Sequence, residues 1–287
     1  MNDAEGRDAR MTAERDEVKY LVARSDLAHV SAELARRLPH HRFTGEGANL
    51  LPKPQHFVTT VYFDTASRHQ YRAALEHADH NLKLRAKEYY DMHPSLAELA
   101  TDPSQIVRYS PVLWLELKAK DGTQTSKQRV GIPKRDVPAF FARTQITPEM
   151  IALTQPAHGA EGERVLQEIA RYCSRFGEPM QADCLVNYRR LPWQSDAGDL
   201  RVTLDVDLAF FPAPADLWRR KSALVRETLG TPAAREPGGV LEVKALGAIP
   251  AWLTTLLGER TAGQSSFSKF EAASAAVHGE LEKIEAD

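Results

Sequence analysis

The stretch from residue 110 to residue 132, SPVLWLELKAKDGTQTSKQRVGI, decides the fold of this chain. Asp121-Gly122 is a strong two-residue hairpin signal, so the stretch is predicted to form two antiparallel strands. Because side chains alternate between the two faces of a strand, three charged residues share one face of the first strand: Glu116, Lys118 and Lys120. Lys127 and Arg129 share one face of the second strand in the same way.

The same alternation of charged and apolar residues recurs in the other predicted strands. Lys83, Arg85 and Lys87 share one face of the strand over residues 81–90. The other strands with polar faces carry Arg15, Glu17 and Lys19; Asn187 and Arg189; Arg201, Thr203, Asp205 and Asp207; and Glu242 and Lys244. Like charges side by side repel each other, but they are useful where an anion lies among them. The pattern indicates a charged interior surface that holds a polyanion together with a metal ion.

Asp205 and Asp207 admit two interpretations. An Asp-x-Asp pair can bind a metal–nucleotide complex, and it can also pair with basic residues of neighbouring strands. The second interpretation is favoured here.

Eight strands with antiparallel connections, and helices between them, predict an α+β fold. Strand faces lined with charge suit a closed, eight-stranded antiparallel β-barrel with a polar lumen. Helices are expected within residues 25–38, 65–77, 133–141, 163–176, 250–257 and 269–284. Ser25 and Ser268 are predicted helix caps, and residues 142–160 are predicted as a loop. We expect a disordered tail over residues 1–12 and a single domain over residues 13–287.

Composition excludes several classes of protein. A net charge of −2 gives no global basic field that would attract nucleic acid. Cys173 and Cys184 lack metal-ligand spacing, and two cysteines in 287 residues fit a reduced, cytoplasmic setting. No apolar run approaches a membrane span, and the charged N-terminus is not a secretory signal.

Eight short motifs follow one another along the chain. They are Arg15-x-Glu17-x-Lys19-Tyr20, Tyr62-Phe63-Asp64, Lys83-x-Arg85, Glu116-x-Lys118, Tyr188-Arg189, Arg201-Val202-Thr203-Leu204-Asp205, Leu241-Glu242-Val243-Lys244 and Ser268-Lys269-Phe270. Each motif is weak alone, but eight in order are specific. The series resembles the VTC domain, the catalytic domain of the vacuolar transporter chaperone polyphosphate polymerase, in the CYTH or triphosphate tunnel metalloenzyme superfamily. The resemblance covers residues 14–275.

The resemblance implies a tunnel that is open at both ends and binds a triphosphate with Mn²⁺ or Mg²⁺. Its implied phosphate ligands are Lys19, Lys83, Arg85, Lys118, Lys127, Arg129, Arg189, Arg201, Ser268 and Lys269. Glu242 is the first choice for the metal ion, with Glu17 and Glu116 as secondary candidates. The implied catalytic residues are Lys19, Arg85, Arg189 and Glu242.

The chain departs from the pattern of the superfamily at two positions. Arg15 replaces the first glutamate of the usual Glu-x-Glu-x-Lys motif, which disfavours a thiamine triphosphatase or a class IV adenylyl cyclase and agrees with the polymerase branch. Ser266 stands where that branch often carries Lys or Arg, so one phosphate contact is expected to be missing.

The resemblance predicts an enzyme that transfers the γ-phosphoryl group of ATP to a growing polyphosphate chain. Two alternatives stay open: a hydrolase of inorganic or nucleoside triphosphates, and a non-catalytic polyphosphate sensor. The expected partners are ATP or another triphosphate, polyphosphate and a membrane-protein partner. The eukaryotic polymerase carries SPX and membrane domains that this sequence does not show.

Overall fold

The computed structural model describes residues 16–41, 54–78, 80–90, 112–122, 124–143, 146–219 and 224–280. The tail predicted over residues 1–12 lies outside these ranges. The strands are β1 (Asp16–Val22), β2 (His56–Thr65), β3 (His80–Tyr90), β4 (Val112–Asp121), β5 (Gln124–Pro133), β6 (Met180–Gln194), β7 (Leu200–Pro212), β8 (Ala234–Arg235), β9 (Gly239–Ala245) and β10 (Thr261–Gln264). The α-helices are α1 (Leu27–Arg37), α2 (His69–Glu76), α3 (Val137–Arg143), α4 (Pro148–Cys173), α5 (Ala251–Arg260) and α6 (Lys269–Val277).

The strands form one antiparallel sheet in the order β10-β1-β9-β7-β6-β2-β3-β4-β5, with β8 paired to β7. All eight predicted strands are present, and the hairpin of β4 and β5 turns at Gly122, where φ is +61°. The two additional strands, β8 and β10, have only two and four residues. Segments this short carry too few alternating residues to give a signal in the sequence.

The predicted fold class is confirmed as a large antiparallel sheet with flanking helices, but the barrel is not closed. Among the described residues, β5 at one end of the sheet shares no backbone ladder with β1 or β10 at the other. Side chains join the ends instead, since Glu17 on β1 contacts Thr125 on β5 and Lys118 on β4. The sheet therefore curls until its two ends meet, and it has a concave and a convex face.

The convex face of the sheet is apolar and covered by helices. Leu34 of α1 and Leu253 of α5 belong to one buried cluster that includes Val202 and Val243 of the sheet. A second cluster joins α3 and α4 to β3, β4 and β5. On the concave face, a third cluster contains Phe270 of α6. One end of the concave face is thus filled by α6, and the remainder is charged.

Two helix predictions need correction. Helix α4 begins at Pro148 and covers most of the residues predicted as a loop. Its start has a clear cap, because the Thr147 side chain accepts a hydrogen bond from the Met150 backbone amide and Pro148 stands in the first turn. The N-cap of α1 is Asp26 rather than Ser25. The Asp26 side chain makes no capping hydrogen bond to the first turn of this helix.

The C-terminal helix α6 is shorter than predicted. It ends at Val277 rather than near residue 284. The cap at Ser268 is confirmed, because its hydroxyl accepts a hydrogen bond from the Glu271 backbone amide. Within the described residues, no helix is both long and apolar enough to cross a membrane.

Candidate functional site

The charged strand faces predicted from the sequence meet on the concave face of the sheet. On β3 and β4, Lys83 lies opposite Lys118 and Arg85 lies opposite Glu116. Among the residues that the structure describes, basic side chains outnumber acidic ones on this face. The basic residues are Lys19, Lys83, Arg85, Lys87, Lys118, Lys127, Arg129, Arg190, Arg201, Lys244 and Lys269. The acidic residues are Glu17, Glu116, Asp205, Glu242 and Glu271.

Glu17 links strands from both ends of the sheet. Its carboxylate accepts hydrogen bonds from Lys118 Nζ at 3.0 Å, Thr125 Oγ1 at 3.1 Å and Lys244 Nζ at 2.9 Å. Burial and the nearby Glu242 raise the pKa of Glu17, but Lys118 and Lys244 outweigh them and lower it to about 2. Glu17 is therefore a carboxylate at any physiological pH.

Glu116 is enclosed by cations in the middle of the concave face. Arg85 Nε lies 2.9 Å from its carboxylate, and the Nζ atoms of Lys127 and Lys87 lie 3.7 and 3.8 Å away. The Glu116 side chain is only 1% exposed. Burial opposes its charged form, but Lys87 and Arg85 keep the pKa of Glu116 well below its usual range. Its negative charge is thus largely compensated within the protein.

Asp205 anchors α6 to the sheet. Arg190 donates two hydrogen bonds to its carboxylate, at 2.6 and 2.7 Å, and Lys269 Nζ lies 2.7 Å from the same group. Asp205 is fully buried, and the Arg190 guanidinium also lies 5.4 Å from the ring centre of Tyr188. The expected pairing of this aspartate with a neighbouring strand is confirmed.

The N-terminus of α6 reaches the basic side chains of the concave face. Lys83 Nζ donates to Ser268 Oγ at 2.9 Å and to Glu271 Oε1 at 2.8 Å. Lys19 Nζ donates to the backbone carbonyl of Phe267 at 3.4 Å. Two predicted phosphate ligands therefore lie beside the predicted Ser268-Lys269 motif.

The placement of Arg189 contradicts its prediction as an inward-facing residue. The register of β6 against β7 shifts between Asn187 and Arg189, and Asp207 has a positive φ of 56°. Arg189 and Asp207 pair with each other at 3.0 Å on the outside, where the Arg189 side chain is 35% exposed. Arg190 takes the inward position instead. The extra residue of this β-bulge lies on β7 and turns Asp207 outward, whereas β6 alternates regularly from Cys184 to Arg190. Alternation therefore separates Arg189 from Arg190, but it does not show which of the two faces inward.

Of three other predicted residues, two are exposed at the periphery of the cluster and one is half-buried. The Lys127 side chain is 46% exposed. Arg129 is exposed, and its guanidinium lies 5.1 Å from the ring centre of Trp114. Arg201 is half-buried and lies opposite Lys244 in the sheet.

Burial disfavours the charged form of several lysines on this face. Burial lowers the pKa of Lys19 and Lys83, and it lowers the pKa of Lys118 to about 8 although Glu17 opposes this effect. Burial and Arg85 together place the pKa of Lys87 well below its usual value. An anion placed among these groups would relieve their mutual repulsion and stabilise their charged forms.

A model of the VTC domain family matches residues 14–278. This chain belongs to the VTC domain family. The match covers nearly the whole chain, and it confirms the resemblance predicted from the eight short motifs.

Solved structures similar to this VTC domain have low sequence identity to it. One is a Bacillus halodurans protein proposed to be an adenylate cyclase, with 12% identity and a TM-score of 0.46, covering 89% of this chain and 94% of that chain. Another, from Hippeastrum, was proposed to be an adenylyl cyclase and shows dominant triphosphatase activity. It has 14% identity and a TM-score of 0.46, and the match covers 90% of this chain and 94% of that chain. A comparison with curated protein sequences gives no significant match.

Three inward-facing residues of this VTC domain were missing from the predicted site. Lys87 and Lys244 alternate with predicted site residues on β3 and β9, so strand periodicity alone could have added them. Periodicity places Arg190 on the opposite face of β6 from Arg189, but it does not show which face is the inner one, because each face of this strand carries one arginine beside apolar residues.

Two of the three candidate carboxylates of the VTC domain contact the same lysine and could together hold a divalent metal ion. Glu17 and Glu242 share one cation, since Lys244 Nζ lies 2.9 Å from the first and 3.2 Å from the second. Both have lowered pKa values and are charged oxygen donors, as Mg²⁺ and Mn²⁺ require. Glu116 is paired instead with Arg85, Lys87 and Lys127. The described residues contain no cluster of three or more acidic, histidine or cysteine ligands, so the fit is to a site completed by substrate oxygens.

Proposed function

We propose that this chain transfers the γ-phosphoryl group of ATP to the end of a polyphosphate chain on its concave face. The observation that carries the proposal is the excess of basic over acidic side chains on that face, most of which are buried or half-buried. If this face were an ordinary outer surface, its basic side chains would be exposed to water. If its charges served only to pair with one another, basic and acidic residues would be about equal in number. A chain of phosphates supplies the negative charge that the acidic residues leave uncompensated.

The phosphate ligands are proposed from the geometry. Lys19, Lys83, Lys118 and Arg85 come from β1, β3 and β4, so together they surround a common space. Arginine holds phosphate oxygens through two parallel N–H groups, whereas lysine acts as a point charge. We assign the role predicted for Arg189 to Arg190, which faces the same space and is oriented by its two bonds to Asp205.

A divalent metal ion bound by Glu17 and Glu242 would neutralise charge on the transferring phosphate and orient it. The acceptor is a terminal oxygen of polyphosphate, which forms a bond to the γ-phosphorus. The bond from that phosphorus to the bridging β,γ-oxygen breaks, and ADP leaves with the electron pair. Phosphoryl transfer depends mainly on positioning and charge stabilisation, which the basic groups of the concave face supply. Water as the acceptor would give phosphate by the same steps.

The proposed activity is tested by incubating the chain with ATP and Mn²⁺, with and without a short polyphosphate primer, and separating the products on a gel. We expect a ladder of long chains from the wild type and a loss of at least about a hundredfold in Glu242→Gln, because metal-bound carboxylates contribute several kcal/mol to the transition state. Glu161→Gln on the exposed face of α4 is the matched control and should leave the ladder unchanged. Release of phosphate without a ladder would show that the chain is a hydrolase rather than a polymerase. Binding of tripolyphosphate without turnover would show that it is a non-catalytic sensor.

The cytoplasmic location and the membrane-protein partner expected from the sequence stay predictions. Cys173 and Cys184 are both buried, free thiols, which supports a reducing compartment. ATP is abundant in such a compartment, so its use as donor is consistent with this location.

A further inference from the structure

An accessible aromatic residue lies on the concave face next to its cations. Tyr89 follows Lys87 on the same face of β3 and is 47% exposed. Desolvation and the nearby Glu116 raise the pKa of Tyr89. A large aromatic side chain that is half exposed although it faces the inside of the curled sheet is expected of a residue that lines an open interior space.

Other planar side chains lie around Tyr89. The His56 ring packs against it with a centroid distance of 5.9 Å and an interplanar angle of 47°. Trp114 on β4 is directly opposite Lys87, which makes it the diagonal neighbour of Tyr89 on this face. Diagonal neighbours in a sheet lie about 7–8 Å apart, so one flat ring can contact both. Arg129 adds a guanidinium plane 5.1 Å from the Trp114 ring centre.

We infer that Tyr89, Trp114 and Arg129 form a stacking subsite for the base of a nucleoside triphosphate. Bases stack on aromatic rings and on guanidinium planes, and this stacking is largely independent of base identity. Inorganic polyphosphate has no planar ring and gains nothing from these side chains. The inference rests on the proposed function, because it assumes that the triphosphate lies among the cations that continue along β3 from Lys87 to Arg85 and Lys83.

The arrangement gives the two ends of a nucleotide different surroundings. The triphosphate meets lysines and arginines, and the base meets Tyr89 at the point where β3 ends. Arg129, predicted as a phosphate ligand, contributes to the base subsite through its contact with Trp114. The subsite therefore selects a nucleotide as phosphoryl donor, whereas the growing polyphosphate occupies only the cationic part of the concave face.

The test compares two ligands by isothermal titration calorimetry with Mn²⁺ present: the non-hydrolysable ATP analogue AMP-PNP and inorganic tripolyphosphate. In Tyr89→Ala we expect the Kd of AMP-PNP to rise about five- to tenfold, the size of one lost stacking contact, while the Kd of tripolyphosphate changes less than about twofold. Tyr89→Phe retains the ring and should bind both ligands like the wild type. Thermal unfolding of each variant confirms that it is folded.

The outcomes separate the subsite from the proposed function. If Tyr89→Ala binds AMP-PNP as tightly as the wild type, or loses both ligands equally, the subsite is wrong while tripolyphosphate binding by the wild type still supports the proposed function. If the wild type binds neither ligand, the proposed function and the subsite both fail.

Discussion

At the scale of single residues, the neighbours Arg189 and Arg190 show how local geometry decides a role. Both are arginines on β6, but only Arg190 faces inward, where it pairs with the fully buried Asp205. Arg189 pairs with Asp207, whose side chain is 55% exposed. Removal of one partner lowers the free energy of unfolding much more for a buried ion pair than for an exposed one.

Alanine substitution at these two positions should therefore give very different stabilities. Arg190→Ala leaves Asp205 buried with Lys269 as its remaining cation, and we expect a loss of about 3–5 kcal/mol in the free energy of unfolding. Arg189→Ala should cost no more than about 1 kcal/mol, because exposed ion pairs contribute little. Urea denaturation of both variants measures the difference. Equal losses would contradict the assignment of Arg190 to the buried inner face and of Arg189 to the exposed outer face.

The titration of Lys118 predicts a pH dependence of phosphate binding. Burial lowers the pKa of Lys118 to about 8 in the free protein, and a bound polyanion raises it again. Binding therefore takes up a proton above that pH, and the affinity for tripolyphosphate should fall as pH rises from about 8 to 10, by up to about tenfold per unit for one group.

The matched control for this pH dependence is Lys118→Arg, which stays charged throughout that range. Titration of the ligand itself is common to both proteins and cancels in the comparison. Calorimetric Kd values at several pH values should show a shallower slope for Lys118→Arg. Parallel slopes for the two proteins would exclude Lys118 as the titrating group.

At the scale of elements, helix α6 competes with phosphate for a basic residue. Glu271 accepts a hydrogen bond from Lys83 at 2.8 Å and lies in the first turn of α6, whose cap at Ser268 holds it there. The Lys83 and Glu271 side chains are 17% and 22% exposed, so their pairing is only partly screened by water. A phosphate that binds Lys83 must replace this carboxylate.

Removal of the Glu271 charge should tighten phosphate binding. We expect Glu271→Gln to lower the Kd of tripolyphosphate about three- to tenfold, the equivalent of about 1 kcal/mol for a partly exposed ion pair. Helix α6 keeps its Ser268 cap in this variant. Glu161→Gln on α4 is the control and should leave the Kd unchanged. Weaker binding in Glu271→Gln would show that the carboxylate supports the site rather than competes with phosphate.

The elements also show what the sequence could and could not predict. Alternating charged residues located β3 and the β4–β5 hairpin correctly, since a period of two is a strong local signal. The threonine, proline, glycine and alanine content of residues 142–160 predicts a loop there and so misses the first half of helix α4, although Thr147-Pro148 is a good helix start. Alternation along β6 separates Arg189 from Arg190, but each face of this strand carries one arginine, so no local pattern shows which of the two faces inward.

At the scale of the whole molecule, the curvature of the sheet creates the site. Strands that are distant in sequence, such as β1 and β4, bring Glu17 and Lys118 to 3.0 Å of each other. Helices cover the apolar convex face of the sheet. The charged residues therefore lie on the concave face, which the curled sheet encloses. We propose that this enclosed side binds a triphosphate with a divalent metal ion.

The most direct test of that claim is a crystal structure of the chain with tripolyphosphate and Mn²⁺. We expect phosphate density on the concave face in contact with Lys19, Arg85 and Lys118, and an anomalous manganese signal beside Glu17 or Glu242. Phosphate bound only on the convex or outer surface, with the pairs of Glu17 to Lys118 and Lys244 unchanged, would contradict it.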